Sequence, residues 1–243
     1  MNRFSKFGPG GLYAIIFSVM LIAIGCGTTS TKSTSTQMRI LHLSPGEPNL
    51  DMLIDNTAIS SGIAYGAPTP FVTISGGTHD LKVKQSNTSN AVYEILKEPF
   101  VAGTTYTYLI VGNAPNAVGQ KLTDDHTPPD SGKFKIRVVN GSPDSGPVDV
   151  YILPPTPNIC AKMPDLTLKP TIAGLASTGT STYQSIPSGA YDIAITPQGD
   201  KTTCLLPLML QSFSNNQNRT LVMYNAIPNT NGPYTSLTLT DLN

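Results

Sequence analysis

The sequence predicts an all-β protein: two tandem antiparallel β-sandwich domains, preceded by a signal peptide and a disordered tether. Three observations carry that prediction. Polar and apolar residues alternate over short runs closed by Gly, Pro or Asn, one set of motifs occurs twice, and helix formers are scarce beyond the N-terminal stretch. The composition agrees: only 12% of residues are charged, while Gly and Pro number 21 each, as expected of strands joined by frequent turns. The net charge is zero, which argues against a nucleic-acid partner, because phosphate binding rests on an excess of Lys and Arg.

The first element is the export signal. Arg3 and Lys6 form a short basic region, Leu12 to Ile24 is an apolar run, and Gly25-Cys26 is a small-residue step. The run is short for a membrane span of about 20 residues, so it reads as a signal peptide over 1–25. Ala23-Ile24-Gly25-Cys26 resembles the lipobox of bacterial lipoproteins, with Ala23 where that motif usually carries Leu. The resemblance implies that the Cys26 thiol receives diacylglycerol and becomes the mature N-terminus. Buried acyl chains contribute about 0.8 kcal/mol per methylene, so the expected anchor is effectively permanent. Residues 26–37, rich in Ser and Thr and without apolar periodicity, are the expected tether. No Asp follows Cys26, and by resemblance to diderm lipoproteins this points to the outer membrane where the organism has one.

The body repeats itself. Arg39-Ile40-Leu41-His42-Leu43-Ser44-Pro45 returns as Arg137-Val138-Val139-Asn140-Gly141-Ser142-Pro143, an offset of 98 (137 − 39). At the same offset Leu50-Asp51-Met52-Leu53-Ile54 matches Val148-Asp149-Val150-Tyr151-Ile152. Ile74 through Val83 then matches Ile186 through Ile195, the offset having grown to 112 (186 − 74) through an insertion, and Phe100 through Val111 parallels Phe213 through Tyr224. In the second copy Phe134, Ile136 and Val138 alternate with Lys135 and Arg137, the period of half-buried strands. Further short runs fall at Leu81–Val83, Tyr106–Val111, Ile193–Ile195, Leu221–Tyr224 and Leu237–Leu239. Regular spacing with turn signals indicates immunoglobulin-like sandwiches over 38–122 and 133–243. The polar, Pro-containing stretch 123–132 is the expected linker.

These blocks resemble the bacterial family called domain of unknown function 4397, whose units open on Arg-hydrophobic-hydrophobic-x-x-Ser-Pro followed by a hydrophobic-Asp-hydrophobic strand. A later hydrophobic-Pro-x-Gly-x-Tyr turn is carried by Ile186-Pro187-Ser188-Gly189-Ala190-Tyr191 and, in altered form, by Ile74-Ser75-Gly76-Gly77-Thr78-His79. The resemblance spans about residues 38–243. It implies an extracytoplasmic β-sandwich module, often in tandem, and no established activity.

The two cysteines other than Cys26 are Cys160 and Cys204, both in the second unit and both exported. They are expected to form a disulfide that pins the Pro-rich insertion around Cys160 to the domain body. A redox-active pair lacks CxxC spacing. Arg39 with Asp51, and Arg137 with Asp149, hold matching places in the two copies. They are expected to be structural ion pairs on neighbouring strands, each contributing at most about 1 kcal/mol if exposed.

Catalytic and ligand-binding patterns are missing. His42, His79 and His126 have no metal-ligand spacing, and His42 and His79 align with Asn140 and Tyr191. Asp124, Asp125 and Asp130 lack calcium-loop spacing and read as a solvated acidic linker. No GxSxG elbow, phosphate loop or dinucleotide fingerprint occurs, so no cofactor is expected. A hydrolase would need a Ser, a His and a carboxylate brought together in a deep pocket. Trp is absent, which weakens a sugar-stacking platform, although Tyr65, Tyr183, Tyr191 and Tyr234 offer substitutes. The expectation is therefore a non-enzymatic envelope lipoprotein. It is held to a membrane by lipid and presents sandwich modules to an envelope protein or a polysaccharide, with carbohydrate or peptidoglycan binding as the alternative.

Overall fold

The computed structural model describes residues 34–165, 167–228 and 232–242; the expected signal peptide, Cys26 and the tether through residue 33 lie outside the described residues. The first half contributes β1 (Ser35–His42), β2 (Leu50–Ile54), β3 (Thr57–Ile63), β4 (Val72–Ser75), β5 (Gly77–Gln85), β6 (Ala91–Phe100), β7 (Thr105–Val111) and β8 (Val118–Thr123). The second contributes β9 (Lys133–Asn140), β10 (Val148–Leu153), the short helix α1 (Ile159–Lys162), β11 (Ile172–Leu175), β12 (Gln184–Pro187), β13 (Gly189–Pro197), β14 (Leu206–Phe213), β15 (Asn218–Asn225) and β16 (Tyr234–Leu242). No described helix is long and apolar enough to cross a membrane.

Each half is a sandwich, and the strand orders correspond one to one. The first has sheets β4-β1-β7-β8 and β3-β2-β5-β6; the second has β12-β9-β15-β16 and β11-β10-β13-β14. Pairing is antiparallel except for β1 with β7 and β9 with β15, which run parallel. The expected boundary between tether and first sandwich, at residue 38, lies inside a strand. Ser35–Gln37 are already strand, because they pair with Ser75–Thr73 on one side and reach Thr105 on the other.

Alternation explains the two sandwich cores. Met38, Ile40, Leu50, Met52, Leu81 and Val83 face one another in the first, and Phe134, Ile136, Val138, Val150, Ile193 and Ile195 in the second. A third core was not expected. Leu41, Leu43, Leu109, Val111, Val139, Val222 and Leu239 form a buried cluster between the sheet containing β1 and the sheet containing β9. The molecule is thus four sheets deep, and β1, β7, β9 and β15 are buried on both faces rather than half-buried. Burying a Leu or Val fully contributes about 1.5–3 kcal/mol, so this seam joins the halves firmly.

The insertion before β11 covers the outer face of β10 and β13. Ile159 and Met163 pack on Tyr151, Leu153 and Ala194 in a satellite core that includes Cys160 and Cys204. The expected disulfide joins these two cysteines, with Cα atoms 5.5 Å apart.

Candidate functional site

The largest grouping of charge lies in the seam, and it rearranges the expected ion pairs. In β1, Met38 and Ile40 point into the first core, so Arg39 points out of the sandwich toward the second half. Its Nε donates to Thr107 Oγ1 (2.8 Å), Nη1 to the Thr240 carbonyl (2.8 Å) and Nη2 to Asp241, with the guanidinium 5.0 Å from the Phe71 ring centre. Arg137 mirrors it: Nε donates to Thr220 Oγ1 (2.6 Å), Nη1 to the Thr123 carbonyl (2.8 Å) and Nη2 to Asp124, with the Tyr183 ring at 4.9 Å. The Thr107 and Thr220 hydroxyls in turn donate hydrogen bonds to Asp124 and Asp241. Each half therefore lends its arginine to the other half's carboxylate.

The pairings of Arg39 with Asp51 and of Arg137 with Asp149 do not form. Leu50, Met52 and Ile54 turn inward, which leaves Asp51 on the outer face of the opposite sheet, across the core from Arg39. There Asp51 accepts from the Ser86 hydroxyl (2.6 Å) and the Gly62 amide (2.9 Å) and pairs with Lys84 (3.1 Å), and these contacts, led by Ser86, hold its carboxyl below the usual range. Asp149 likewise accepts from the Gly174 and Gly199 amides (2.7 and 2.9 Å). The expectation of a solvated linker fails at Asp124, which is 4% exposed. Burial pushes its carboxyl upward, while Arg137 and Arg39 pull the other way.

His79 has the neighbours a hydrolase requires. Its Nε2 lies 3.2 Å from Ser75 Oγ, and its Nδ1 lies 2.6 Å from Asp55 Oδ2. Three features fit a turn clamp better than a catalytic triad. Nε2 is also 3.1 Å from the Ser75 carbonyl, and Asp55 raises the imidazole pKa, so in the protonated imidazole Nε2 donates to that carbonyl. A nitrogen that donates there is not free to accept the Ser75 proton. The amide after Ser75, where an oxyanion hole would draw a donor, is bonded to the Thr34 carbonyl (2.9 Å). In the second half Tyr191 takes the place of His79, and its hydroxyl donates to the carbonyl of Pro187, the counterpart of Ser75 (2.7 Å). The shared feature is a ring reaching back four residues to a carbonyl; the serine is not shared.

The remaining sequence candidates are separated by the fold. His42 is buried: Nδ1 accepts the Ser44 amide (3.2 Å) as Asn140 Oδ1 accepts that of Ser142 (3.3 Å), and burial lowers its pKa. Tyr65 donates to the Asn225 carbonyl across the seam (3.1 Å), and burial pushes its hydroxyl up to about 12. Tyr183 donates to Asp241 (2.8 Å), and Tyr234 packs on the second core. Tyr65, Tyr183, Tyr191 and Tyr234 thus serve different places and make no common platform. Asp80 and Asp192, singled out by no motif, brace matching bulges by accepting the amides of Lys97 and Leu210 (2.9 and 2.7 Å), residues held at φ 59° and 50°. Among the described residues no group of three His, Cys, Asp or Glu side chains is placed to hold a metal.

Among the described residues, two grooves bear on the sites above. One is an apolar groove of about 380 Å³ between α1 and β14, lined by Ile159, Ala161, Pro207 and Met209. The other is a polar groove of about 580 Å³ at the end of the seam. It is lined by Thr104 and Thr105 of the first half, Asp125, His126 and Thr127 of the crossing segment, and Tyr183 of the second half, with Asp124 at its base. Asp125 is paired with Lys135 (2.7 Å), which, with its bonds to Thr127, keeps its carboxyl below the usual range against the opposing effect of burial. A smaller trough of about 210 Å³ continues from Thr104 and Thr105 to Ser35, Thr36 and Gln37.

Comparison with known proteins adds the following. Residues 36–151 match the family described as "Domain of unknown function (DUF4397)", a span that runs from β1 through most of β10. No curated protein matches the chain. Among solved structures, the crystal structure of CBMbc (family CBM26) from Eubacterium rectale Amy13K in complex with maltoheptaose is similar at 9% identity and a TM-score of 0.26, over 84% of this chain and 96% of that one.

Proposed function

We propose that the protein is a non-catalytic binding module of the bacterial cell envelope, held at a membrane by acyl chains on Cys26 and presenting its double sandwich as one rigid head. The observation that carries this reading is where the reactive side chains go. The groupings of charge and nucleophile at Arg39, Arg137, Asp124 and Asp241, and at Ser75, His79 and Asp55, are bonded into the fold. A head of this kind acts through its surface. The signal-like N-terminus and the lipobox resemblance support the anchor.

The anchor is tested by intact mass of the mature N-terminus and by fractionation of a Cys26→Ser variant. Triacylated Cys26 and release of the variant from membranes are the expected results. A variant that sediments with membranes as firmly as the parent ends the lipoprotein reading. Binding is tested by crosslinking in intact cells and purifying the full chain, with covalent capture of one envelope component expected.

A second reading, with carbohydrate or peptidoglycan as the partner, is favoured over a protein partner by the hydroxyl-rich walls of the seam groove.

A further inference from the structure

We infer that the polar groove at the end of the seam is a glycan-binding site, an inference that rests on the binding-module reading above and names its ligand class and its residues. Sites that hold small ligands or polymer segments favour the junction between domains, where two rigid walls fix opposite sides of the ligand. This groove has such walls: Thr104 and Thr105 belong to the first sandwich, Tyr183 to the second, and the buried Arg and Asp cluster clamps the two together directly beneath it.

The chemistry of the walls selects the ligand. Charge is balanced, since Asp125 is paired with Lys135 and Asp124 with Arg137, so a phosphate or polyanion finds no free cation there. The lining offers carbon surface together with threonine hydroxyls, backbone groups and an exposed imidazole, so it suits a ligand with both CH faces and hydroxyls. His126 has no hydrogen-bond partner among the described residues, which leaves its ring free to stack on or bond to a ligand. A neutral ligand with many hydroxyls matches donors and acceptors of this kind. Length matters as well: the two troughs share Thr104 and Thr105 and together form a run of about 580 and 210 Å³, which suits a chain of sugar units better than a compact metabolite.

Detergent-solubilised full-length protein is electrophoresed through gels containing a soluble α-glucan, a soluble β-glucan or solubilised peptidoglycan strands. Retardation that saturates in at least one gel is expected, and the three arms identify the source of the glycan. Thr104→Arg, which fills the groove from a partly exposed position, is expected to abolish retardation. His126→Ala should weaken binding by about tenfold, the effect of one good hydrogen bond. Met209→Ser, in the separate apolar groove, should bind as the parent does. Circular dichroism establishes that each variant keeps the β-sheet spectrum.

Retardation that survives both groove variants overturns the site while leaving glycan binding intact. Migration unchanged in all three gels overturns the glycan inference. In that case capture of an envelope protein by crosslinking preserves the broader reading, and capture of nothing removes both.

Discussion

Arg39 in the first strand and Asp241 in the last, 202 residues apart in sequence, form a buried ion pair across the seam between the two halves. Arg137 and Asp124 form its mirror image. The seam thus resembles the isologous interface of a symmetric dimer, built within one chain. Its arginines are fully engaged by acceptors in fixed geometry, which makes it intolerant of change.

Replacing Arg39 by Ala should lower unfolding stability by about 3–5 kcal/mol, because Asp241 is left buried with its main cation removed. Arg39→Lys should also destabilise, since an ammonium cannot reproduce the three-way fork and the contact with Phe71. Urea denaturation checks both, and the Arg39→Ala/Asp241→Asn pair should cost less than the sum of its parts. A mutant within 0.5 kcal/mol of the parent, the ordinary range for surface changes, would contradict the described role.

Gly141→Ala tests the same seam by size. A Cβ there meets Leu43 Cδ1 across the seam at 2.7 Å and the Met223 carbonyl within the second half at 3.1 Å. Overpacking of this kind costs about 1–3 kcal/mol, read from the urea midpoint.

The two structural histidines should give opposite pH dependences. Burial lowers the pKa of His42, so below the ordinary value near 6.5 the unfolded chain takes a proton that the folded state refuses, and stability falls as pH falls. Asp55 raises the pKa of His79, so its contribution is fully present below that ordinary value and is lost as pH rises through the folded pKa. His42→Asn, which copies Asn140, should remove the loss on the acid side. His79→Tyr, which copies Tyr191, should remove the loss on the alkaline side. Urea midpoints measured from about pH 5 to about pH 8 decide the matter.

Ser75 should be inert toward a fluorophosphonate probe, and Ser75→Ala should unfold within about 0.5 kcal/mol of the parent, as a turn residue outside a core does. Covalent labelling of Ser75 abolished by His79→Ala would show that the clamp works as a triad after all.

Removing the Cys160–Cys204 bond by a double Ser substitution should cost up to about 4 kcal/mol by the chain-entropy model, for a loop of 45 residues counted inclusively (204 − 160 + 1). Protease cutting confined to the insertion around α1 would show that the bond secures this segment against Tyr151 and Leu153.

Much of the fold was legible in the sequence because strands write their burial into every second residue. Phe134, Ile136 and Val138 announced the second core, and the repeated Arg-to-Pro motif announced that two halves share one strand order. The seam also left a mark: Tyr108-Leu109-Ile110-Val111 is a continuous apolar run, and Ile40-Leu41-His42-Leu43 is one broken only by His42, the pattern of strands covered on both faces. The ion pairs were misplaced for a physical reason. Matching positions reveal that Arg39 and Arg137 do the same job, but not toward which layer each side chain leans.

By itself the sequence determined the β class, the duplication and the cysteine pairing, since each is written in local periodicity, spacing or composition. Tertiary structure alone decided that the halves are packed into four layers, that Asp124 is buried, that His79 meets Ser75 and Asp55, and that a polar groove opens where the chain crosses from one half to the other. Those outcomes depend on which sheet faces come together, and contacts between residues far apart in sequence carry no period by which to read them.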